Sequence, residues 1–219
     1  MRKLSAALLA CVLLAAVAAA PAAAAKPATR GFLPANARPL GYSLVEIGTA
    51  WNQWAWSTPA DTNPLLAARC EPSPLDPRIW FLPVSLGGEF EADCDVPRGA
   101  FLVLTPGGVE CSSIEPEPFF GANEEELLEC VNEGFDLITY AEVTFNGATT
   151  SNLDQYVVTT TLDTLPPDNL ISPDAGLTMD KSFYLVISPL SPGTHILHAY
   201  DEFESLGIQA GITLTINVD

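Results

Sequence analysis

Positive charge is scarce in this chain. Lys and Arg number 9 against 27 Asp and Glu, a formal net charge of −18. Arg2 and Lys3 are two of those nine bases, so the chain without its N-terminal segment carries a net of about −20. Such a surface repels phosphates, which argues against nucleic acid and against an anionic bilayer as partners. Nucleophile and nucleotide signatures are missing as well: the sequence has no G-x-S-x-G, no Walker loop and no G-x-G-x-x-G. With 2 histidines, the general acid–base repertoire rests on carboxylates. Past the N-terminal segment no stretch approaches the ~20 apolar residues of a membrane-spanning helix. Low charge density does not mean disorder here. Charged residues are 16% of the chain and hydrophobic ones 48%, a composition that folds. The length suits one domain, or two small ones.

Residues 1–25 read as an export signal. Arg2 and Lys3 form the basic start, Leu4 to Ala20 the apolar stretch, and Ala23-Ala24-Ala25 an A-x-A cleavage site. Cys11 lies inside the apolar stretch and is set apart from the other cysteines. Cys70, Cys94, Cys111 and Cys130 remain, and four cysteines in an exported chain point to two disulfides. The short consecutive loops favour Cys70–Cys94 and Cys111–Cys130. None of the four is spaced as C-x-x-C, so a zinc knuckle is disfavoured.

Residues 26–41 hold three prolines and read as an extended linker or arm, leaving 42–219 as a single domain. Ser43 and Glu46 make a capping box, and Leu44, Ile47, Trp51 and Trp54 recur at helical spacing, which predicts a helix over 44–57. Five prolines between 59 and 77 predict an irregular loop. Buried strands are expected over 79–84 and 100–104. Asn123 followed by Glu124, Glu125 and Glu126 marks the start of a helix over 124–135. From residue 138 the pattern has period two, with Asn146-Gly147 as a hairpin turn. Strands follow near 156–158, at 183–187, 194–200 and 211–218, the last two separated by an acidic loop at 201–204. Seven or eight strands, two helices and no alternation of strand with helix in the second half predict a mainly β chain. The expected architecture is an antiparallel β-sandwich, immunoglobulin-like or jelly-roll, with two short helices and two disulfides.

Three constellations could carry function. Trp51, Trp54, Trp56 and Trp80 are candidates for a ligand-binding platform on which a sugar ring stacks, or alternatively anchors that pin the helix to the sheet. His195 and His198 resemble a metal pair, but three positions apart on a strand they face opposite ways. His198 with Asp201 or Glu202 is then the remaining acid–base or metal candidate. The abundant acids also allow structural calcium, without a D-x-D-x-D-G loop to define it.

Taken together, Trp51-x-x-Trp54-x-Trp56, Asn63-Pro64, Cys70, Trp80-Phe81-Leu82, Gly87-Gly88, Cys94-x-Val96-Pro97-x-Gly99 and Pro189-Leu190-Ser191-Pro192-Gly193-x-His195 resemble a group of secreted bacterial proteins with no assigned activity. The resemblance implies export and supplies no functional residue. Pro192-Gly193-Thr194-His195 leading into an alternating strand resembles the penultimate strand of bacterial immunoglobulin-like domains. The leading functional expectation is a secreted module that binds a glycan or another protein. An extracellular hydrolase using a carboxylate pair near the Trp-rich helix is the second, and a structural envelope or matrix component the third.

Overall fold

A computed structural model describes residues 31–219. Residues 1–30, which include the predicted export signal, Cys11 and the start of the expected arm, lie outside the described residues. In chain order the elements are α1 (Leu44–Trp56), β1 (Glu71–Pro72), β2 (Ile79–Phe81), β3 (Gly88–Val96), β4 (Phe101–Leu104), β5 (Gly108–Ser112), α2 (Glu124–Phe135), β6 (Tyr140–Phe145), β7 (Ala148–Thr150), β8 (Val157–Thr159), β9 (Asp163–Leu165), β10 (Gly176–Phe183), β11 (Leu185–Ile187), β12 (Gly193–Phe203) and β13 (Ile208–Val218). The chain is mainly β and sandwich-like, with two α-helices. Its strands divide among three sheets: β1-β2-β4-β11, β5-β10-β8 with β9 also on β10, and β3-β13-β12-β6-β7. The pairings are antiparallel except β3 with β13 and β2 with β4.

Local chemistry starts and stops these elements. The Glu46 amide donates to Ser43 Oγ at 3.2 Å while the Ser43 amide donates to Glu46 Oε2 at 2.7 Å, so the capping box closes both ways at the start of α1. Asn123 Oδ1 accepts from the amides of Glu125 and Glu126 and opens α2. Asn146 (φ 48°) and Gly147 (φ 80°) both take the left-handed conformation that a two-residue β6–β7 hairpin needs.

Three apolar layers result. The five-stranded sheet packs Val143, Leu197, Leu214 and Ile216 against Leu102, Leu104, Leu185 and Ile187 of β4 and β11. The other face of β4 and β11 carries Val103 and Val186 and receives Ile47, Trp51 and Trp54 from α1. On the third sheet, Val109, Cys111 and Met179 pack on Leu127 and Val131 of α2. The disulfide Cys111–Cys130 ties α2 to β5, and Cys70–Cys94 ties the proline-rich loop to β3. The arm lies on the body: Phe32 is buried against Phe145, and the Leu33 amide donates to Val186 O at 2.8 Å. Among the described residues no helix is long and apolar enough to cross a membrane. Two disulfides and this absence are compatible with an extracellular protein.

Two expectations are corrected. The single strand expected at 183–187 is two: β10 ends at Phe183, β11 begins at Leu185, and the Tyr184 amide turns to Tyr156 O at 2.9 Å. Likewise 105–107 separates β4 from β5, so this antiparallel pair of strands passes from one sheet to another at the same level. The acidic loop expected at 201–204 is strand up to Phe203, because Asp201 and Glu202 continue the ladder opposite Ala210 and Gln209.

Candidate functional site

A cavity of about 310 Å³ lies between two of the sheets, lined by β5 and β10 of one, β12 and β13 of the other, the two tryptophans Trp51 and Trp56 of α1, and the connections at 84–86 and 105–107. One wall comes from β5 and β10. Their register sets Glu110 directly opposite Asp180, with Gly108 opposite Ser182 and Ser112 opposite Thr178. Residues paired this way share a face, with Cβ atoms about 5 Å apart. The alternation is chemical as well as geometric. Val109, Cys111 and Met179 face α2, and the side chains between them are polar and buried. β12 supplies Ala199, Asp201 and Phe203, and the turn at 105–107 closes the space between the sheets.

Three of the carboxyl groups here, those of Asp180, Glu110 and Asp201, are buried, and Glu115 is half-buried. Asp180 accepts from Ser182 Oγ at 2.9 Å and Tyr184 Oη at 2.7 Å, yet burial pushes it up to about 7. The Tyr184 phenol is raised too, first by burial and then by the neighbouring Asp180 charge. Burial also raises Glu110 well above the ordinary carboxyl range, and a hydrogen bond to the Glu115 carboxyl adds to it. Glu110 accepts from the Thr178 hydroxyl, and Ser112 Oγ donates to Glu115 at 3.0 Å. Asp201 is 7% exposed, accepts no hydrogen bond from a described side chain, and is pushed up to about 7 by burial alone. No Lys, Arg or His borders the cavity.

Gly107 and Gly108 permit this arrangement. A Cβ on Gly107 would lie 2.9 Å from Asp201 Cβ, and one on Gly108 would overlap Ser182. Residues of the wall also hold buried polar atoms that are unmet. Trp51 Nε1, Trp56 Nε1 and Thr105 Oγ1 have no partner among the described residues, and all three residues border the cavity.

The four tryptophans do not form one platform. Trp51 and Trp54 are core residues, their rings against Tyr184 and Phe81. Trp54 Nε1 donates to Glu71 and Trp80 Nε1 to Pro77 O. Only Trp51 and Trp56 reach the cavity wall. Nor does the structure gather His198, Asp201 and Glu202: Asp201 faces inward, whereas His198 and Glu202 lie on the outer face of β12. There His198 Nε2 is 3.8 Å from Glu89 Oε2. Among the described residues no three His, Cys, Asp or Glu side chains are disposed to hold a metal ion.

Glu110, Asp180, Glu115 and Ser182 carry no sequence motif. The signal was present as a period-two polar run, Thr178-x-Asp180-x-Ser182, but a buried polar strand reads like a loop until its partner strand is known. Comparison with protein families, with curated proteins and with solved structures gives no match.

Proposed function

We propose that the chain is an exported binding module whose ligand, or an inserted part of it, occupies the cavity lined by β5, β10, β12 and β13. One observation carries this reading: four carboxyl side chains line a cavity of about 310 Å³ whose wall holds no Lys, Arg or His. Burying acids without a counter-charge costs stability, and a fold retains such a feature where a ligand uses it. The export signal in the sequence and the two disulfides support action outside the cytoplasm. A thermal-shift screen of the intact protein with glycans and with cationic, neutral and anionic small molecules tests the proposal. A hit whose effect is lost in Glu115→Gln supports it, and a melting temperature unmoved by the whole set contradicts it.

A hydrolase is the second reading, favoured by one pairing. Glu110, raised and hydrogen-bonded to Glu115, stands opposite Asp180 on the neighbouring strand. Two facing carboxyls can serve as general acid and general base when one holds a proton and the other is ionised. Turnover of a glycan or ester substrate that disappears in Glu110→Gln would establish it. Absence of turnover across both classes, with ligand binding intact, decides for the binding module.

A further inference from the structure

We infer that the cavity takes a small organic cation, its ammonium or guanidinium head against Asp180, Asp201 and Glu110 and its apolar body along Leu86, Leu206 and Ile208. This rests on the binding reading above and narrows it to a chemical class.

The charge imbalance points to the head group. Glu110 of β5, Glu115 of the following connection, Asp180 of β10 and Asp201 of β12 face one space. From α1 only Trp51 and Trp56 border it, and the segments at 84–86, 105–107 and 206–208 add no titratable group. The neighbouring cation is directed elsewhere: Lys181, next in sequence to Asp180, donates to Asn132 Oδ1 at 2.8 Å and sits 4.9 Å over the Phe135 ring on the α2 side. Hydroxyl groups alone solvate Asp180.

Asp201 is an independent sign of a ligand. It comes from a different sheet, is 7% exposed, has no partner among described side chains, and is seated beside Gly107 at the cavity wall. A buried carboxyl without a partner is relieved either by a proton or by an incoming cation. The Thr105 hydroxyl, 5% exposed and equally unpartnered, borders the same space.

The rim points to the body. Leu86, Leu206 and Ile208 border the cavity while 49%, 41% and 40% exposed. Apolar side chains grouped at the mouth of an acidic cavity suit a ligand with a charged end and a hydrocarbon end. A bare metal ion would leave that rim uncovered, and the carboxyls are not disposed as metal ligands.

Because the head group pairs with ionised carboxyls, binding must release protons from groups held near neutrality. Affinity therefore rises with pH through about 7.

The test titrates the full exported chain with 2-phenylethylammonium, neutral 2-phenylethanol, anionic 3-phenylpropionate, glucosamine and calcium chloride, by calorimetry and tryptophan fluorescence. The ammonium compound is expected to bind, with affinity falling about tenfold between about pH 8 and about pH 5.5. Asp201→Asn is expected to weaken it about tenfold or more at the higher pH. Leu86→Lys, at an exposed position, is expected to weaken the ammonium compound more than 2-phenylethanol, because both lose an apolar contact and only the cation meets a like charge. Equal, pH-independent binding of 2-phenylethanol overturns the cationic head while leaving the binding module standing. Glucosamine matching 2-phenylethylammonium overturns the apolar body, and calcium binding without any amine binding overturns the organic cation. Competition by a lysine-bearing peptide supports the head group and assigns it to a polypeptide side chain. Failure of every probe, together with the glycan screen, removes the binding module itself.

Discussion

Gly107 shows how much of the site hangs on one missing methyl group. It ends the passage from β4 to β5, its carbonyl accepts from the Phe183 amide at 3.0 Å, and its Cα faces Asp201. A Cβ there would come within 2.9 Å of Asp201 Cβ and 3.2 Å of Oδ2. The atom met first is Asp201 Cβ, which cannot rotate away as the end of a flexible side chain could. Gly107→Ala is thus expected to destabilise the protein by about 1–3 kcal/mol, the usual cost of overpacking. It should also move the Asp201 carboxyl from the wall. Denaturant unfolding reads the first effect, and the carboxyl resonance of Asp201 in carbon-detected NMR reads the second. An unchanged midpoint would show that the two strands slide freely at this point. Gly147 makes the opposite case: nothing lies within 4 Å of its would-be Cβ, and it is required for its positive φ alone.

At the scale of elements, α2 is held by packing and by one covalent tie. Leu127 and Val131 are buried against β5 and β10, and Cys130 is bonded to Cys111 at a sequence separation of 19. A loop of that length constrains the unfolded chain by about 3 kcal/mol. Replacing Cys111 and Cys130 together by Ala and Ser is expected to lower stability by roughly that amount and to raise amide exchange first in α2. Hydrogen exchange measured segment by segment checks this, and uniform acceleration through β12 and β13 would contradict it. The same helix shows what the sequence made legible. Asn123, the three glutamates after it and the apolar stripe ending at Phe135 are local signals, and α2 begins and ends where they place it. So do Ser43 and Glu46 for α1, Asn146-Gly147 for the hairpin, and the consecutive cysteines for the disulfides. What escaped is non-local. Strands β5 and β10 bury Glu110, Thr178, Asp180 and Ser182, so their hydropathy lacks the apolar run by which a core strand is recognised. Their register, which sets Glu110 against Asp180, spans about 70 residues of chain. Trp51 shows a different limit: helical spacing placed it on the buried face of α1, but that its far edge borders a cavity depends on β10 and β12.

The whole molecule joins two kinds of negative charge, an acidic coat and a buried acidic cavity, and both favour mildly acidic solution. Asp180 and Asp201, ordinarily near 3.8, are pushed up to about 7 by burial. Between those values the folded protein keeps protons that the unfolded chain has lost, so stability falls as pH rises through this window. For Asp180 the upper figure is about 4 kcal/mol. Glu110 is raised by burial and by Glu115, and it acts in the same direction. The coat contributes too, because a net charge of −18 at neutral pH repels itself and shrinks on acidification. Asp76 works the other way but lower down: Arg78 hydrogen bonds hold it down to about 2, and the stability it adds is lost only as pH falls through that value. The melting temperature is accordingly expected to rise from about pH 7.5 to about pH 5. Salt separates the two sources, since it screens exposed charges and leaves buried ones unscreened. High salt at neutral pH should recover the part due to the coat and no more. Asp180→Asn, which keeps one of the two oxygens that accept from Ser182 and Tyr184 and removes the titration, should reduce the remaining slope and leave the share due to Asp201 and Glu110. A melting temperature that is level across the window, or that climbs with pH, would mean that the cavity carboxyls are ionised at little cost and that water or a counter-ion already reaches them.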